Sequence, residues 1–281
     1  MPSPDAAMAR VDVVIEPTTG WAVPDFGELW RYRDLFAFLV LRNLRVRYSQ
    51  SVLGIGWALL QPMFSMVVFT VVFGRLARLE SDGVPYAVFS LAALVPWTFF
   101  SAALTDATDS LVSQANLIGK IYFPRAILPL AAVTAKGVDF LIGLTMLALM
   151  LAWYGLRPTS GVIFLPLLVL ILMAAASGAG MWLTALAVRY RDVKYAMGIL
   201  LQMWMYLAPV VYSSSVIPPA YRTIYALNPL VGVIEAFRSA LLATRPFPWT
   251  EVGIGGGVAF VLLVAGGMYF SRAERSFVDV A

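Results

Sequence analysis

The stretch from Leu29 to Phe73, LWRYRDLFAFLVLRNLRVRYSQSVLGIGWALLQPMFSMVVFTVVF, is basic in its first half and apolar in its second. A helix through 29–48 turns by about 100° per residue, which separates a charged face from an apolar one. The charged face carries Arg31, Asp34, Arg42 and Arg45. The opposite face carries Leu29, Phe36, Val40 and Leu44. This pattern predicts an amphipathic interface helix at 29–48 that lies in the headgroup layer of a membrane.

The end of this segment marks the entry into the membrane. Arg33 and Arg47 fall on the apolar side near the two ends of the helix, from which their long side chains are expected to snorkel to water. The polar residues 49–51 then end the pattern, and Gly54 and Trp57 open the apolar run. That run has the roughly 20 residues that a helix needs to cross a bilayer.

The composition is that of a membrane protein. Of 281 residues, 60% are hydrophobic and 13% are charged, whereas soluble domains have about 25% charged residues. The mean hydropathy is +0.81. The basic residues flank apolar segments instead of forming a separate domain, which argues against nucleic-acid binding. Cysteine and histidine are absent, which excludes disulfides, thiol chemistry and the commonest general base and metal ligand.

Six segments are apolar and long enough to be read as spans, although the fifth is short. The prediction is an all-α integral membrane protein with one transmembrane domain at 29–281, preceded at 1–28 by an acidic tail that lacks signal-peptide features. The spans are predicted near 55–74, 86–105, 129–154, 162–188, 196–213 and 252–271. An even number places both termini on one side of the membrane. Basic residues concentrate in the segments on that side, which predicts that both termini are cytoplasmic.

Charged residues inside the predicted spans are few. Lys136 and Asp139 share one helix face in the third span, so they are expected either to pair or to lie at the cytoplasmic interface. Asp106 and Asp109 are expected at a solvated helix end. An ion-coupled carrier needs ionisable residues at the midplane. The sequence therefore indicates that energy for any transport comes from elsewhere.

The connection between the fifth and sixth spans, 213–250, contains a short apolar helix. Asn228 is a good N-cap and Pro229 a good first-turn residue, and the helix that they start extends to Ala243. It is too short to span, and it carries Glu235 and Arg238 at i, i+3. Periodicity leaves two alternatives open, a re-entrant helix and an amphipathic helix lying on the outer surface.

Aromatic residues recur on one face of the second span and are joined by a smaller group in the first span. The second span contributes Tyr86, Phe89, Trp97 and Phe100, and the first contributes Trp57, Gln61 and Phe64. Sugar rings pack their C–H faces on aromatic rings, and many weak contacts let a polymer slide. The hypothesis is that these residues line a substrate path. The alternative is that they pack the helices together or anchor them at the interface.

Four motifs in chain order carry a family resemblance. They are LG-x-x-W-x-x-x-QP at 53–62, FPR-x-x-LP at 123–129, RYRDV at 189–193 and LNP at 227–229. Together they resemble the ABC-2 type permeases of polysaccharide exporters, which move O-antigen, capsular and teichoic-acid polymers. The resemblance covers the chain from about residue 25 to its C-terminus. The nucleotide-binding motif G-x-x-x-x-G-K-[ST] is absent from the sequence.

The resemblance implies a homodimer in the inner membrane in which each subunit docks a separate ATPase chain that binds ATP and Mg. It implies as cargo a glycan on an undecaprenyl-type lipid carrier, with no catalytic, cofactor or metal site in this chain. The implied ATPase contacts are Arg42, Arg45, Arg47, Asn116, Lys120 and Tyr122. The implied external gate consists of Asn228, Pro229, Glu235 and Arg238.

Three other functions compete with this one. The first is an ABC-2 permease for a different cargo, such as a drug or a lipid. The second is an intramembrane enzyme, which requires convergent carboxylates or a metal site that the sequence does not offer. The third is a scaffold without cargo.

Overall fold

The computed structural model describes residues 26–49, 54, 56–114 and 123–274, and all the regular elements among these residues are helical. Ten α-helices are present in this part of the chain. They are α1 (Phe26–Arg31), α2 (Arg33–Ser49), α3 (Gly56–Phe69, continued by a π-helix at Thr70–Leu76), α4 (Tyr86–Ser110), α5 (Ile127–Trp153), α6 (Leu165–Arg189), α7 (Asp192–Leu207), α8 (Arg222–Tyr225), α9 (Pro229–Leu242) and α10 (Trp249–Glu274).

Five of the described helices are long and apolar enough to cross a membrane. They are Gly56–Leu76, Tyr86–Ser110, Ile127–Trp153, Ser160–Arg189 and Trp249–Glu274, and each overlaps a predicted span. The segment predicted at 196–213 overlaps α7, which has 16 residues. A helix of that length extends about 24 Å, less than the roughly 30 Å of a hydrocarbon core. The count of six spans therefore stays a prediction.

The early end of α7 has a local cause. Pro209 follows Ala208, and the residue before a proline is pushed out of the helical region. Ala208 accordingly has φ −100° and ψ 152°, which is extended backbone. The chain at 208–213 is not helical, although Val210 and Val211 are buried.

The helix predicted at 29–48 is present as α1 and α2, and its place at the membrane interface stays a prediction. Tyr32 separates the two helices, but its N–H donates to Glu28 O at 3.2 Å and its carbonyl accepts from Phe36 N at 2.9 Å. Leu39 is 1% exposed and belongs to an apolar cluster with Ile127 and Phe270. The apolar side of α2 therefore contacts the helix bundle, chiefly α5. We refer to this end of the bundle as the α2 end and to the opposite end as the far end.

The centre of the bundle is α4, which packs against α3, α5, α6 and α9. On its other side α6 packs closely on α10 through glycines. A Cβ atom built on Gly178 would lie 2.4 Å from the carbonyl carbon of Leu262, and one built on Gly266 would lie 2.1 Å from Gly178 O. Only residues without a side chain permit this approach, since backbone atoms on both helices occupy the space.

The short helix α9 is buried at the far end. The side chain of Asn228 accepts from Leu230 N, as predicted for its N-cap, and Ala243 ends the helix in the left-handed region. All 14 residues of α9 are buried, so the alternative of a helix lying on the outer surface is wrong. Its first residue, Pro229, packs on Gly255, well inside α10. The helix therefore starts within the bundle and runs back toward the far end.

Candidate functional site

A cavity of about 550 Å³ lies between α3, α4, α5 and α7. Its lining combines aromatic rings and uncharged polar groups with four charged side chains. The uncharged polar residues at the wall are Gln61, Thr98, Ser101, Thr105 and Gln202, and the aromatic residues are Trp97, Phe99 and Phe140. We call it the first cavity.

The hydroxyl groups of the first cavity project from one face of α4. Thr98 Oγ1 donates to Leu94 O and Thr105 Oγ1 donates to Ser101 O, both at 2.8 Å, and Ser101 Oγ donates to Thr98 O at 3.3 Å. Each hydroxyl hydrogen is therefore engaged with the backbone of the helix. The oxygen lone pairs are left to accept hydrogen bonds from a ligand in the cavity.

The structure divides the residues that were predicted to line a substrate path. Gln61 and Trp97 line the first cavity; Gln61 is exposed, whereas Trp97 is 6% exposed and also packs beside Phe100. Three of the remaining five pack within the bundle. The Tyr86 hydroxyl donates to Val211 O at 2.5 Å, Phe89 is 0% exposed, and the Phe100 ring lies 5.1 Å from that of Trp204. The other two, Trp57 and Phe64, are exposed on α3.

Two ion pairs stand at the α2 end of the first cavity. Arg47 Nη1 lies 2.9 Å from Asp139 Oδ2, and Tyr48 donates to the same carboxylate. Lys136 pairs with Asp106 across α5 and α4. Of the two alternatives for Lys136 and Asp139, the pairing with each other is therefore wrong, because each residue pairs with a different neighbouring helix. The other alternative, a place at the cytoplasmic interface, stays a prediction. Asp106 is likewise paired instead of only solvated.

A second cavity, of about 530 Å³, lies under α2 on the other side of these ion pairs. Arg47, Asp106 and Lys136 line both cavities. Together with Asp139 they form a wall of two positive and two negative side chains, which we call the charged partition. Opening the partition would join the two cavities into one passage from the α2 end toward the middle of the bundle.

Tyr48 fixes the helix α2 to this partition at neutral pH. Burial, followed by the hydrogen bond to Asp139, raises the pKa of Tyr48 from 10.0 to about 12. The hydroxyl therefore stays protonated and continues to donate. Because the folded pKa lies above the unfolded one, this contribution to stability is complete below pH 10 and is lost as the pH rises to about 12.

The predicted ATPase-contact residues differ in whether their side chains are already bound within the protein. Arg42 Nη1 donates to Gln114 Oε1 at 2.9 Å, which ties α2 to the short helix Val112–Gln114. Arg47 belongs to the charged partition, and Arg45 is exposed on α2. Asn116, Lys120 and Tyr122 lie outside the described residues.

Two of the predicted gate residues, Glu235 and Arg238, belong to a buried polar network at the far end. Arg238 is 1% exposed and its guanidinium lies 3.6 Å from the ring centroid of Phe89. It donates to Val210 O at 3.0 Å, to Tyr212 O at 3.1 Å and to Glu235 Oε1 at 3.2 Å. It also donates to Phe89 O at 3.4 Å. Arg238 thus satisfies two of the carbonyls that follow the break at Pro209.

Asn228 links the same region to α7. Besides capping α9, its side-chain oxygen accepts from Trp204 Nε1 at 3.2 Å, and its amide donates to Leu207 O at 3.4 Å. The ends of α7 and α9 are therefore held together by one side chain.

Several residues of the site were not found from the sequence. The hydroxyls at 98, 101 and 105 recur at spacings of three and four on α4, a signal that was available. Gln202 on α7 has no such pattern, and the sequence carries no signal for its position in the cavity.

Comparison with known proteins adds an independent observation. A family model described as ABC-2 type transporter matches residues 34–242. The chain is 29% identical over 254 residues, 90% of this chain and 97% of the relative, to the O-antigen export system permease protein RfbA of Myxococcus xanthus. It is 26% identical to the protein of the same name from Klebsiella pneumoniae, over 88% of this chain and 95% of the relative. It is 22% identical to the polysialic acid transport protein KpsM of Escherichia coli, covering 73% and 80%.

The first prediction concerns Arg238. Arg238→Lys should lower the free energy of unfolding by at least about 2 kcal/mol, because a single ammonium group cannot reach all the carbonyls that the guanidinium binds. Thermal unfolding in detergent measures the effect. Arg157→Lys, at an exposed arginine, is the matched control and should leave the midpoint unchanged. Equal midpoints for the two variants would contradict the role assigned to Arg238.

The second prediction concerns the charged partition. Since the chain has no cysteine, Thr105→Cys places one thiol in the wall of the first cavity. An added Arg47→Glu should raise the labelling rate by an impermeant maleimide several-fold, because the new carboxylate repels Asp139. The further change Asp139→Arg should restore slow labelling. Arg45→Glu, at an exposed position on the same helix, is the control. An unchanged rate in the Arg47→Glu variant would show that this pair does not close the cavity.

Proposed function

The chain belongs to the ABC-2 type transporter family, and on that premise we propose that it is the permease subunit of an ATP-driven exporter of a lipid-linked polysaccharide. The relatives named O-antigen export permease cover about nine-tenths of the chain, which supports a polymer of the O-antigen, capsular or teichoic-acid class as cargo. The chain is then a transporter subunit of the cytoplasmic membrane, and ATP and Mg bind to a separate ATPase.

The observation that carries this proposal is the lining of the first cavity. Trp97 lies in the wall and is 6% exposed, so a sugar would reach the face of its ring only when the wall opens. The oxygens of Thr98 and Thr105 offer acceptors for sugar hydroxyls. The amides of Gln61 and Gln202 supply both donors and acceptors. The charged residues at the wall balance, two positive and two negative. Such a lining suits uncharged sugar units that bind weakly at many equivalent positions and move on.

The charged partition supports a mechanism for access. The glycan would enter the second cavity from the cytoplasmic side and would reach the first cavity when Arg47 separates from Asp139. Both Arg47 and Tyr48 are on α2, so a movement of this one helix breaks both contacts with Asp139. An ATPase that pulls on α2 during its cycle would thereby open the passage.

In the proposed exporter, a second copy of the chain packs beside the first and the two subunits enclose the path together. The outward face of α3 is exposed and carries Trp57 and Phe64. These residues suit contact with another subunit or with lipid. In the proposed arrangement α7 and the segment 208–213 act together as the fifth of six spans. Both termini then lie in the cytoplasm, and the far end with Asn228, Pro229, Glu235 and Arg238 forms the external gate.

The alternative is an ABC-2 permease for a drug or a lipid. The inner membrane transport permease YadH of Escherichia coli, whose name gives no cargo, is 24% identical over 74% of this chain. A small hydrophobic cargo has no use for the hydroxyl and amide groups of the first cavity. The export measurement below separates the two proposals.

The third prediction tests the cargo. Trp97→Ala should lower the amount of polysaccharide at the cell surface at least about fivefold, because the sugar loses its aromatic contact. Basal ATPase activity should remain at the parental level, and export is compared at equal protein abundance because Trp97 is 6% exposed and its truncation also costs stability. Trp153→Ala, at an exposed tryptophan outside the cavity, is the matched control. Parental export by the Trp97→Ala variant at equal abundance would remove the first cavity from the path. If a strain that lacks this permease keeps its surface polysaccharide, the proposal of a polysaccharide cargo is wrong.

The fourth prediction tests the ATPase contact. Arg45→Glu reverses an exposed charge on α2 without touching the partition or the contact of Arg42 with Gln114. It should reduce co-purification of the ATPase with a permease that is still inserted in the membrane. The control is Arg78→Glu at the far end, also exposed. Undiminished co-purification would indicate that Arg45 only binds lipid phosphates.

A further inference from the structure

A third cavity, of about 400 Å³, opens at the far end between the segment 214–225 and the turn that leads into α10. It shares no lining residue with the first cavity. It is distinct from the proposed path, since the path residues Trp97 and Gln61 lie among α3 and α4, whereas this cavity is formed by later parts of the chain.

One wall of the third cavity is aromatic. The rings of Phe247 and Trp249 lie 4.5 Å apart between centroids, and Phe164 packs behind them at 4.7 Å from Trp249. The residues before and after Phe247 are prolines, Pro246 and Pro248, which restrict the backbone of the turn. Trp249 is 54% exposed although its ring is held on one side. The turn therefore presents a fixed aromatic surface to the cavity.

The opposite wall is polar and equally fixed. Glu235 is 7% exposed, and its Oε1 accepts from Ser214 N at 3.3 Å as well as from Arg238. Arg245 donates to Asp82 Oδ1 at 2.8 Å, and Ser239 Oγ donates to Arg245 O at the same distance. These contacts hold the polar groups in place without a ligand. A preorganised wall lowers the cost of ordering side chains when a ligand binds.

The charges of the third cavity indicate the class of ligand. Two arginines, Arg222 and Arg245, face two carboxylates, Glu235 and Glu251. Arg245 is already paired with Asp82. A phosphate would meet as much negative as positive charge here, so an anionic headgroup is disfavoured. Burial raises the pKa of Tyr225 above its ordinary value, which keeps this hydroxyl neutral as a donor and acceptor.

We propose that the third cavity is a saccharide-binding site that takes neutral sugar units of the exported glycan at the far end. The aromatic wall packs on the C–H face of a sugar ring, and the carboxylates and hydroxyls bind its hydroxyl groups. The identification of the ligand as the exported glycan rests on the proposed function. Glu235 connects the site to Arg238, so a sugar bound here contacts the network that holds the segment after Pro209.

The competing explanation is that Trp249 anchors the chain at the membrane interface, where tryptophan is common. Trp153, at the end of α5, provides the test, because it is 84% exposed, lies at the same end of the bundle and is outside the cavity. An interfacial anchor and a binding residue respond differently to the same substitution at these two positions.

The experiment measures binding of a fluorescein-labelled oligosaccharide to the full-length chain in complex with its ATPase in lipid nanodiscs. The oligosaccharide is released from the surface polysaccharide of the producing strain by mild acid, which removes the lipid. All variants carry Trp97→Ala, so that binding in the first cavity is already weakened. Fluorescence anisotropy should show binding about tenfold weaker for Trp249→Ala, and nearly unchanged for Trp249→Phe and Trp153→Ala. Glu251→Gln provides a second variant at the partly exposed polar wall and should weaken binding with normal assembly.

Three outcomes would overturn the inference. They are an affinity equal to that of Trp97→Ala alone in both Trp249→Ala and Glu251→Gln, equal weakening by Trp249→Ala and Trp153→Ala, and an unsubstituted complex that exports the polymer but does not bind the oligosaccharide. In the last case the proposed function stands. Conversely, an unsubstituted complex that exports no polymer, although the oligosaccharide binds through Trp249, would overturn the proposed function and leave a saccharide site.

Discussion

Pro209 ends a helix inside the bundle and leaves three successive carbonyl groups without helical partners in an apolar region. A bare carbonyl in such surroundings costs several kcal/mol, so each one needs a donor from elsewhere in the protein. Val210 and Tyr212 receive theirs from Arg238, and Val211 receives its donor from Tyr86. The burial of α9 follows from this requirement, since Arg238 reaches the carbonyls only from a helix that lies within the bundle.

This network also explains why a full charge is tolerated at a buried position. The guanidinium is surrounded by three carbonyl oxygens, the carboxylate of Glu235 and the face of the Phe89 ring. Its hydration is thereby replaced by fixed polar groups, which is the condition under which a buried charge is stable. Tyr86 and Phe89 thus support Arg238 and the segment after Pro209, and the sugar-binding role proposed for their helix is left to Trp97.

At the α2 end, charged side chains inside the bundle are stabilised by ion pairs between helices instead of by backbone carbonyls. Lys136 and Asp139 each meet an opposite charge from another helix, so that α2, α4 and α5 are joined at one level of the bundle. Ion pairs between different helices break when those helices move apart. An ion pair between two residues of α5 would stay intact during such a movement. The charged partition is therefore suited to respond to α2, the helix that the proposal assigns to the ATPase.

The sequence by itself determined the all-helical membrane architecture, because runs of about 20 apolar residues have no other stable form in lipid. It also determined the start of α9, since Asn228 and Pro229 act through their own backbone neighbours. The spacing of the hydroxyl residues on α4 and the end of α7 before Pro209 could likewise be predicted from neighbouring residues in the sequence. Only the tertiary structure decided which charges pair, which aromatic rings face a cavity and where α2 places Leu39. Those outcomes depend on distances between helices far apart in the chain, and the periodicity within one helix carries no information about its neighbours.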